Sequence, residues 1–375
     1  MGVGGACSSH PTPGGWRIDR VRMIGIALPQ RLRIHVSAQM SRYVARRIAL
    51  AVLTLWLVTL AVFVITNILP GNPALVRLGP FASKEALHAE EVRMGLDKPL
   101  QRRYWTFLSG AIRGDLGTSF KTERPVATDL GDRLPATLEL ALTSTLLACL
   151  IGIPLGFLAA VRRNTRLDHF VRNLAGLSAA MPIFWLGLML AFVFAYQLRW
   201  APGPVGRLGL EDTPPPSVTG LYSIDSLLAG NLGLFAKSLE YLALPAITLG
   251  IIELAPIAKI ARSSMLGILD TEYVRTSRAM GFSGWQIFRQ DALRNSLIPL
   301  LTMLGIVLGY LLAGNVIVET VFSWPGVGQY AYGAVTSNDF NAIQGFILMV
   351  ATIYVVLNLA IDLLYAVIDP RVRLG

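Results

Sequence analysis

Charge is scarce in this chain. Only 15% of its 375 residues are Asp, Glu, Lys or Arg, while 53% are hydrophobic. That balance excludes a disordered protein and argues against an ordinary soluble globule. Cysteine is scarcer still. Cys7 lies in the N-terminal stretch and Cys149 inside an apolar run, which supports neither a disulfide framework nor a zinc site. There is no glycine-rich loop ending in Gly-Lys-Ser/Thr, so the chain does not itself hold ATP. There is no His-Glu-x-x-His pair: His88 is followed by Ala89, Glu90 and Glu91 and lacks the second histidine. Ser283 is followed at once by Gly284 and sits in no Gly-x-Ser-x-Gly elbow; its position suits a helix cap. No catalytic residue, metal or resident cofactor is expected.

What the chain does have is long apolar runs. Six have the ~20 residues that a bilayer demands, at about 48–69, 137–160, 173–197, 240–261, 297–318 and 342–366. The net charge of +10 comes from arginines beside these runs, not from an independent basic domain, so nucleic acid is not the expected partner. Arg42, Arg46 and Arg47 precede the first run, and Arg162, Arg163 and Arg166 follow the second. Lys259, Arg262, Arg275, Arg278, Arg289 and Arg294 lie between the fourth and fifth, and Arg371 and Arg373 follow the sixth. With an even number of spans all of these fall on one side, the cytoplasm, with both termini inside. Residues 1–39 are rich in Gly, Pro and Arg and fit no signal peptide. They read as an N-terminal extension, disordered or upstream of a true start at Met40. Residues 40–136 then form the first span and an external segment.

The external parts are expected at 70–136, 198–239 and 319–341. In the first, Lys84 to Leu108 reads as an amphipathic helix. The second is proline-rich (Pro202, Pro204, Pro214, Pro215, Pro216) and reads as irregular structure. Trp200 and Trp324 stand where interfacial aromatics are expected.

Between the fourth and fifth runs lies a polar stretch, Asp270-Thr-Glu-Tyr-Val-Arg-Thr-Ser-Arg-Ala-Met-Gly281. Asp270 or Thr271 is placed to cap a helix by accepting from free N–H groups. Glu272 adds negative charge at the positive end of the helix dipole. Arg275 and Arg278, three apart, share a face, and Gly281 suits the left-handed stop. Ser283-Gly-Trp-Gln286 reads as a capping box opening a second helix through Ile287, Phe288 and Leu293 towards the next span. Spanning lipid requires no such element; offering a rigid knob to a soluble partner does. Periodicity alone leaves open a short amphipathic helix lying on the lipid surface.

The order Arg275-Thr276-Ser277, Gly281, then Leu297-Ile298-Pro299 resembles the "EAA" loop of inner-membrane permease subunits of ABC importers. More narrowly it is similar to the dipeptide/oligopeptide/nickel branch, which reads Tyr-Val-Arg-Thr-Ala-Arg-Ala-x-Gly; Ser277 replaces the first alanine of that run. The likeness covers nearly the whole chain from Met40. It includes Leu69-Pro-Gly-Asn-Pro-Ala74, Gly95-Leu-Asp-Lys-Pro-Leu100, Gly114-Asp-Leu-Gly117 and Met181-Pro-Ile-Phe-Trp185. It continues in Ile317-Val-Glu-Thr-Val-Phe-Ser-Trp-Pro-Gly-Val-Gly328 and Asn358 to Tyr365 through Asp369-Pro-Arg371.

The resemblance implies an all-α membrane protein of the type I ABC importer permease fold. About six transmembrane helices carry a cytoplasmic coupling helix between the fourth and fifth, with the core domain at 137–375. It implies a B-type permease in the inner membrane, paired with a homologous C-type one. Two cytoplasmic ATPase subunits bind the ATP, and an external binding protein delivers the solute. Glu272, Tyr273, Arg275, Thr276, Ser277, Arg278 and Gly281 become the ATPase contact. Glu319, Phe322, Trp324, Pro325 and Gly326 become an external gate or binding-protein contact, although Glu319 suits equally a turn that caps the fifth span. Dipeptides, longer peptides, nickel chelates and glutathione-like solutes share this plan.

Two further polar sites lie in the spans. Glu253 is mid-span, where an ionisable group must face protein or water. A hydrogen bond to another span is favoured over contact with solute in the translocation pathway. Asn358 and Asp362 are four apart on one helical face and are expected to bond neighbouring helices or Arg371. The rival reading, a self-contained ion-coupled secondary transporter, calls for paired acidic residues and repeated broken helices. Glu253 alone gives it thin support.

Overall fold

The computed structural model describes residues 30–68 and 73–368, with the side chains of 30–43, 290, 291, 294 and 365–368 excepted. The expected tail over 1–29, residues 69–72 of the Leu69–Ala74 motif, and the Asp369-Pro370-Arg371 motif lie outside the described residues. The chain divides into a unit ending at Ala45, described only as helical backbone from Gln30, and a compact unit from Arg46 onward.

Among the described residues the regular structure is helical, with one isolated bridge between Thr118 and Pro125. In chain order the helices are α1 (Gln30–Ile68), α2 (Pro73–Leu78), α3 (Lys84–Arg93), α4 (Leu100–Ile112), α5 (Val126–Val161), α6 (Arg166–Ala180) and α7 (Ile183–Leu190). A π-helical turn, Ala191–Gln197, continues α7. Then follow α8 (Tyr222–Leu228), α9 (Leu232–Leu269), α10 (Glu272–Ala279) and α11 (Gly284–Ile287). A second π turn, Phe288–Ala292, leads into α12 (Leu293–Leu312). The chain ends through α13 (Val316–Val321), α14 (Val327–Thr336) and α15 (Phe340–Ile368).

Among the described residues, five segments are long and apolar enough to cross a membrane unbroken: Val44–Ile68, Val126–Val161, Leu232–Leu269, Asn295–Leu312 and Phe340–Leu364. The third expected span is not one helix. α6 and α7 meet at 101°, because Pro182 has no N–H for the ladder and forces Met181 into extended backbone (φ −79, ψ 127). The fifth span stops at Leu312, short of 318, where Gly314 takes φ +91. The helix expected over Lys84 to Leu108 is two helices, since Gly95 (φ +69) and Pro99 separate α3 from α4. The proline-rich segment is irregular as far as Gly220, but α8 and the first turns of α9 occupy its end.

The centre is the pair α5 and α9, the most extensively packed helices of the chain. Lipid gives helices no hydrophobic reason to associate, so backbone proximity and van der Waals contact must do it. Gly152 and Gly156, four apart on α5, admit α9 closely. A Cβ at Gly156 would stand 2.5 Å from the Ala258 carbonyl oxygen and 2.7 Å from the Ala261 Cβ. α12 packs on both helices, with Leu140, Leu242, Leu249, Val307 and Leu311 in one buried cluster. α1 instead leaves Val52, Trp56 and Ile65 exposed, as a helix facing acyl chains does.

Gly156→Leu should therefore separate α5 from α9 and cost about 1–3 kcal/mol or more. Thermal unfolding in detergent checks it: Gly156→Leu lowers Tm, while Gly176→Leu, at a glycine with open space around it, does not.

Candidate functional site

The polar stretch after α9 folds as a corner of two short helices. α10 has Thr271 at its N-cap position, but the hydroxyl does not cap it. Instead it donates to the Ile268 carbonyl at 2.6 Å, closing the last turn of α9. Asp270 is the C-cap of α9 and faces Arg163 at 3.6 Å. The expected side-chain cap from Asp270 or Thr271 is thus absent, because the Thr271 hydroxyl is engaged by the preceding helix and the Asp270 carboxylate faces Arg163 in the turn after α5. Glu272 still supplies first-turn charge, and it pairs with Arg275 at 2.7 Å on an exposed face. Gly281 takes φ +83 as expected, with its N–H bonded to the Arg278 carbonyl and that of Phe282 to Ser277. The capping box is present: the Ser283 N–H donates to Gln286 Oε1 at 2.8 Å, and the Gln286 N–H donates to Ser283 Oγ at 3.3 Å.

One side of this corner is anchored and the other faces outward. Val274 is fully buried. Tyr273 is partly exposed and its hydroxyl accepts from Asn295 Nδ2 at 3.2 Å, tying α10 to the start of α12. Glu272, Arg275, Thr276, Arg278 and Gly281 are exposed and Ser277 is half-buried. Met280 and Trp285 are large apolar side chains that project with 65% and 67% of their surface uncovered. The Trp285 ring stacks on Phe288 at 5.4 Å, which meets Phe157 of α5 edge-on at 5.8 Å. Below the corner, Arg262 donates from Nε (2.6 Å) and Nη2 (2.9 Å) to the fully buried Asp168. This bidentate pair fastens α9 to the start of α6.

The second expected group stands at the opposite end of α12, which has 20 residues and so is about 30 Å long. Its residues are mostly covered. Glu319, Phe322, Trp324 and Gly326 are buried, while Ser323 and Pro325 are exposed. Trp324 is not an interfacial aromatic: it is packed in the core and its indole N–H donates to the Ala136 carbonyl at 2.8 Å. Trp200 is 75% exposed, as an interfacial residue should be. Glu319 acts as a remote cap. Its Oε2 accepts from the Gln329 N–H at 2.8 Å in the first turn of α14, and its Oε1 accepts from the Thr137 hydroxyl at 2.7 Å. Burial pushes the Glu319 carboxyl above the usual carboxylate range, against the pull of the Thr137, Gln329 and Gly328 hydrogen bonds and of nearby Arg133.

Beside it lies a buried network that sequence reasoning did not single out. Arg207 Nη2 donates to Glu139 Oε2 at 2.5 Å and to the Gly220 carbonyl at 2.8 Å, and its guanidinium lies 3.5 Å over the Tyr222 ring. Glu139 Oε1 accepts from both the N–H and the hydroxyl of Ser223. The available signal was Glu139 itself, an acid inside an apolar run. Asp339, just before α15, is a further buried acid. It is fully buried and accepts from the Ser119 hydroxyl and the Phe120 N–H, while its Oδ1 caps α15 through Ala342.

Glu253 is buried and bonded across to α5, with Ser144 on Oε1 and Thr145 on Oε2, both at 3.1 Å. The interhelical hydrogen bond, and not an open polar contact, is what the geometry holds. Asp362 reaches a neighbouring helix at Arg47, 2.7 Å away, whereas the Asn358 amide bonds only the Tyr354 carbonyl of its own helix. The structure therefore does not bring the knob, Glu253 and the Glu319 segment together as one site. No group of three or more metal-ligating side chains occurs among the described residues.

Two family models match the chain. The model of binding-protein-dependent transport system inner membrane components matches residues 152–374, and that of the N-terminal part of such components matches residues 40–141. The chain is 46% identical over 313 residues to the probable D,D-dipeptide transport system permease protein DdpB of Escherichia coli K12, which covers 84% of this chain and 92% of that one. It is 40% identical over 334 residues to the dipeptide transport system permease protein DppB of Alkalihalophilus pseudofirmus (89% and 100%). It is 41% identical over 335 residues to the di/tripeptide transport system permease protein DppB of Pseudomonas aeruginosa (89% and 99%).

Two outcomes follow from the buried acids. The folded-state pKa of Glu319 is raised, so its contribution to stability is full below the unfolded value and lost as pH rises through the folded one. Tm of the wild type should fall with rising pH above the ordinary glutamate range and flatten in Glu319→Gln; an unchanged slope in that variant refutes the assignment. Arg207→Met leaves Glu139 buried and unpaired and should cost about 3–5 kcal/mol, part of it recovered in the Arg207→Met/Glu139→Gln double variant, as chemical or thermal unfolding would read.

Proposed function

The chain belongs to the family of binding-protein-dependent transport system inner membrane components, and from that premise we propose that it is the permease subunit of an ATP-driven ABC importer whose cargo is dipeptides or closely related short peptides. It is a multi-pass inner-membrane transport subunit. The cargo follows from the relatives, whose names specify dipeptide and di/tripeptide systems. We place ATP hydrolysis on two separate cytoplasmic subunits, the second half of the pathway on a homologous C-type permease, and cargo delivery on an external binding protein. We place α10 and both termini in the cytoplasm, a reading that the arginines beside the spans support.

The observation that carries the coupling role is the build of α10. It is short, exposed on the Glu272–Arg275–Arg278 face, anchored by buried Val274, and locked at each end by Asp270–Thr271 and by Gly281 with the Ser283 capping box. Such a knob transmits force because it moves as a body. When ATP closes the ATPase pair, the knobs of the two permeases are drawn together. The helices anchored to them change from inward- to outward-facing. At the far end of α12 the Glu319 segment serves as gate, with a binding protein touching Ser323 and Pro325 more readily than the buried Trp324. The ion-coupled alternative needs an available acid in the spans, and both oxygens of Glu253 already accept from α5.

A mild-detergent pull-down of the tagged chain, with mass spectrometry, tests this. Two P-loop ATPases and a second permease should accompany it and be lost on deleting residues 270–283. Gly281→Trp, at a position of positive φ, should insert normally yet abolish peptide uptake. Recovery of the chain alone, or wild-type uptake by Gly281→Trp, overturns the coupling role and makes Glu253 the first residue to examine.

A further inference from the structure

α4 packs against a membrane span with one face and leaves another uncovered. The Tyr104 hydroxyl hydrogen-bonds that of Thr59 at 3.0 Å. The Phe63 ring lies 5.4 Å from Tyr104 and 6.0 Å from Phe107. Thr59 and Phe63 are one turn apart within the span Val44–Ile68, so α4 lies against the side of that span. On its other flank Trp105, Leu108 and Ile112 follow one another at helical spacing, and Trp105 and Ile112 are 64% and 79% exposed. Arg102, Thr106 and Ser109 occupy the polar arc. An amphipathic helix with an aromatic–aliphatic stripe flanked by a polar arc that carries Arg102 suits the headgroup–acyl boundary.

Behind α4 is a cavity of about 370 Å³, lined among others by Thr66, Asn67, Lys98, Arg103 and Gln344. Thr66 and Asn67 belong to the last turn of one span and Gln344 to the first turns of another, which sets the cavity at the membrane boundary. Arg103 is half-buried, and burial disfavours its charge. Neither Arg103 nor Lys98 has an ion-pair or hydrogen-bond partner for its side chain among the described residues. The lining carboxylate, Asp115, accepts from the Gly117 N–H at 3.0 Å. The half-buried Arg103 guanidinium, without an ion-pair partner, is the costly group, and an anion that joins it relieves that cost; the exposed Lys98 ammonium on the same wall adds attraction for one.

We propose that this cavity binds the phosphate of a membrane phospholipid, held by Arg103 and Lys98, with α4 lying in the interface and its Trp105–Ile112 stripe in the acyl region. The bound lipid fastens the segment between the first two spans to the bilayer surface. A free anion would satisfy the two cations as well, but it would leave the apolar stripe beside the span without purpose.

The test uses the tagged chain purified in mild detergent with its accompanying subunits, followed by delipidation and native mass spectrometry. Wild type should retain about one phospholipid more per chain than Arg103→Gln/Lys98→Gln, and Arg103→Lys should restore part of it. Brominated phospholipid in nanodiscs should quench part of the tryptophan emission in wild type and less of it in Trp105→Phe. Equal lipid retention by wild type and the double variant, with subunit assembly intact in both, overturns the proposal. So does displacement of the lipid by millimolar inorganic phosphate, which would make this a free-anion site.

Discussion

A carboxylate removed from water must collect donors, and in this chain that demand joins segments far apart in sequence. Asp339 draws in the Ser119 hydroxyl and the backbone N–H groups of Phe120 and Lys121. Glu319 joins Thr137 to the start of α14, Glu139 joins Arg207 and Ser223, Glu253 joins Ser144 and Thr145, and Asp168 joins Arg262. Lipid supplies no preference for one helix neighbour over another. These acids, with the small-residue contact of α5 and α9, therefore specify which helix meets which. Each is costly if left half-satisfied, so the correct arrangement is separated from its competitors.

The same logic separates rigid from yielding parts. The knob is fixed to α9 by the Thr271 hydroxyl and to α12 through Tyr273 and Asn295, and α9 is in turn fastened to α6 by the Arg262–Asp168 pair. A displacement applied at α10 thus passes directly to α9 and α12, and through α9 to α6. At the other end of α12, Gly314 and the Glu319 cap hold α13 and α14 as a folded-back unit instead of a continuation of the span.

Much of this was legible in the residues. Apolar length located the spans, Gly281 located the stop of α10, and Ser283 with Gln286 located the start of α11, because each acts through its own local backbone. The break at Met181-Pro182 was readable in principle, since Pro182 cannot continue a helix, but the apolar run on both sides masked it. What was not legible depends on tertiary partners. Trp324 reads as interfacial until the Ala136 carbonyl is placed beside its indole. Thr271 reads as a cap until the end of α9 claims its hydroxyl. Arg207, in a proline-rich segment, gives no sign of the acid it will meet 68 residues away.

The π turn at Phe288–Ala292 holds one residue more than an α turn of equal reach. A helix advances about 100° per residue, so α11 and α12 are out of phase by about that angle although they form one path. The side chains that support the corner and those that pack among the spans therefore follow two separate periodicities. A substitution that resets the footing of the corner need not disturb the helix face of α12, and the two surfaces could diverge independently under selection.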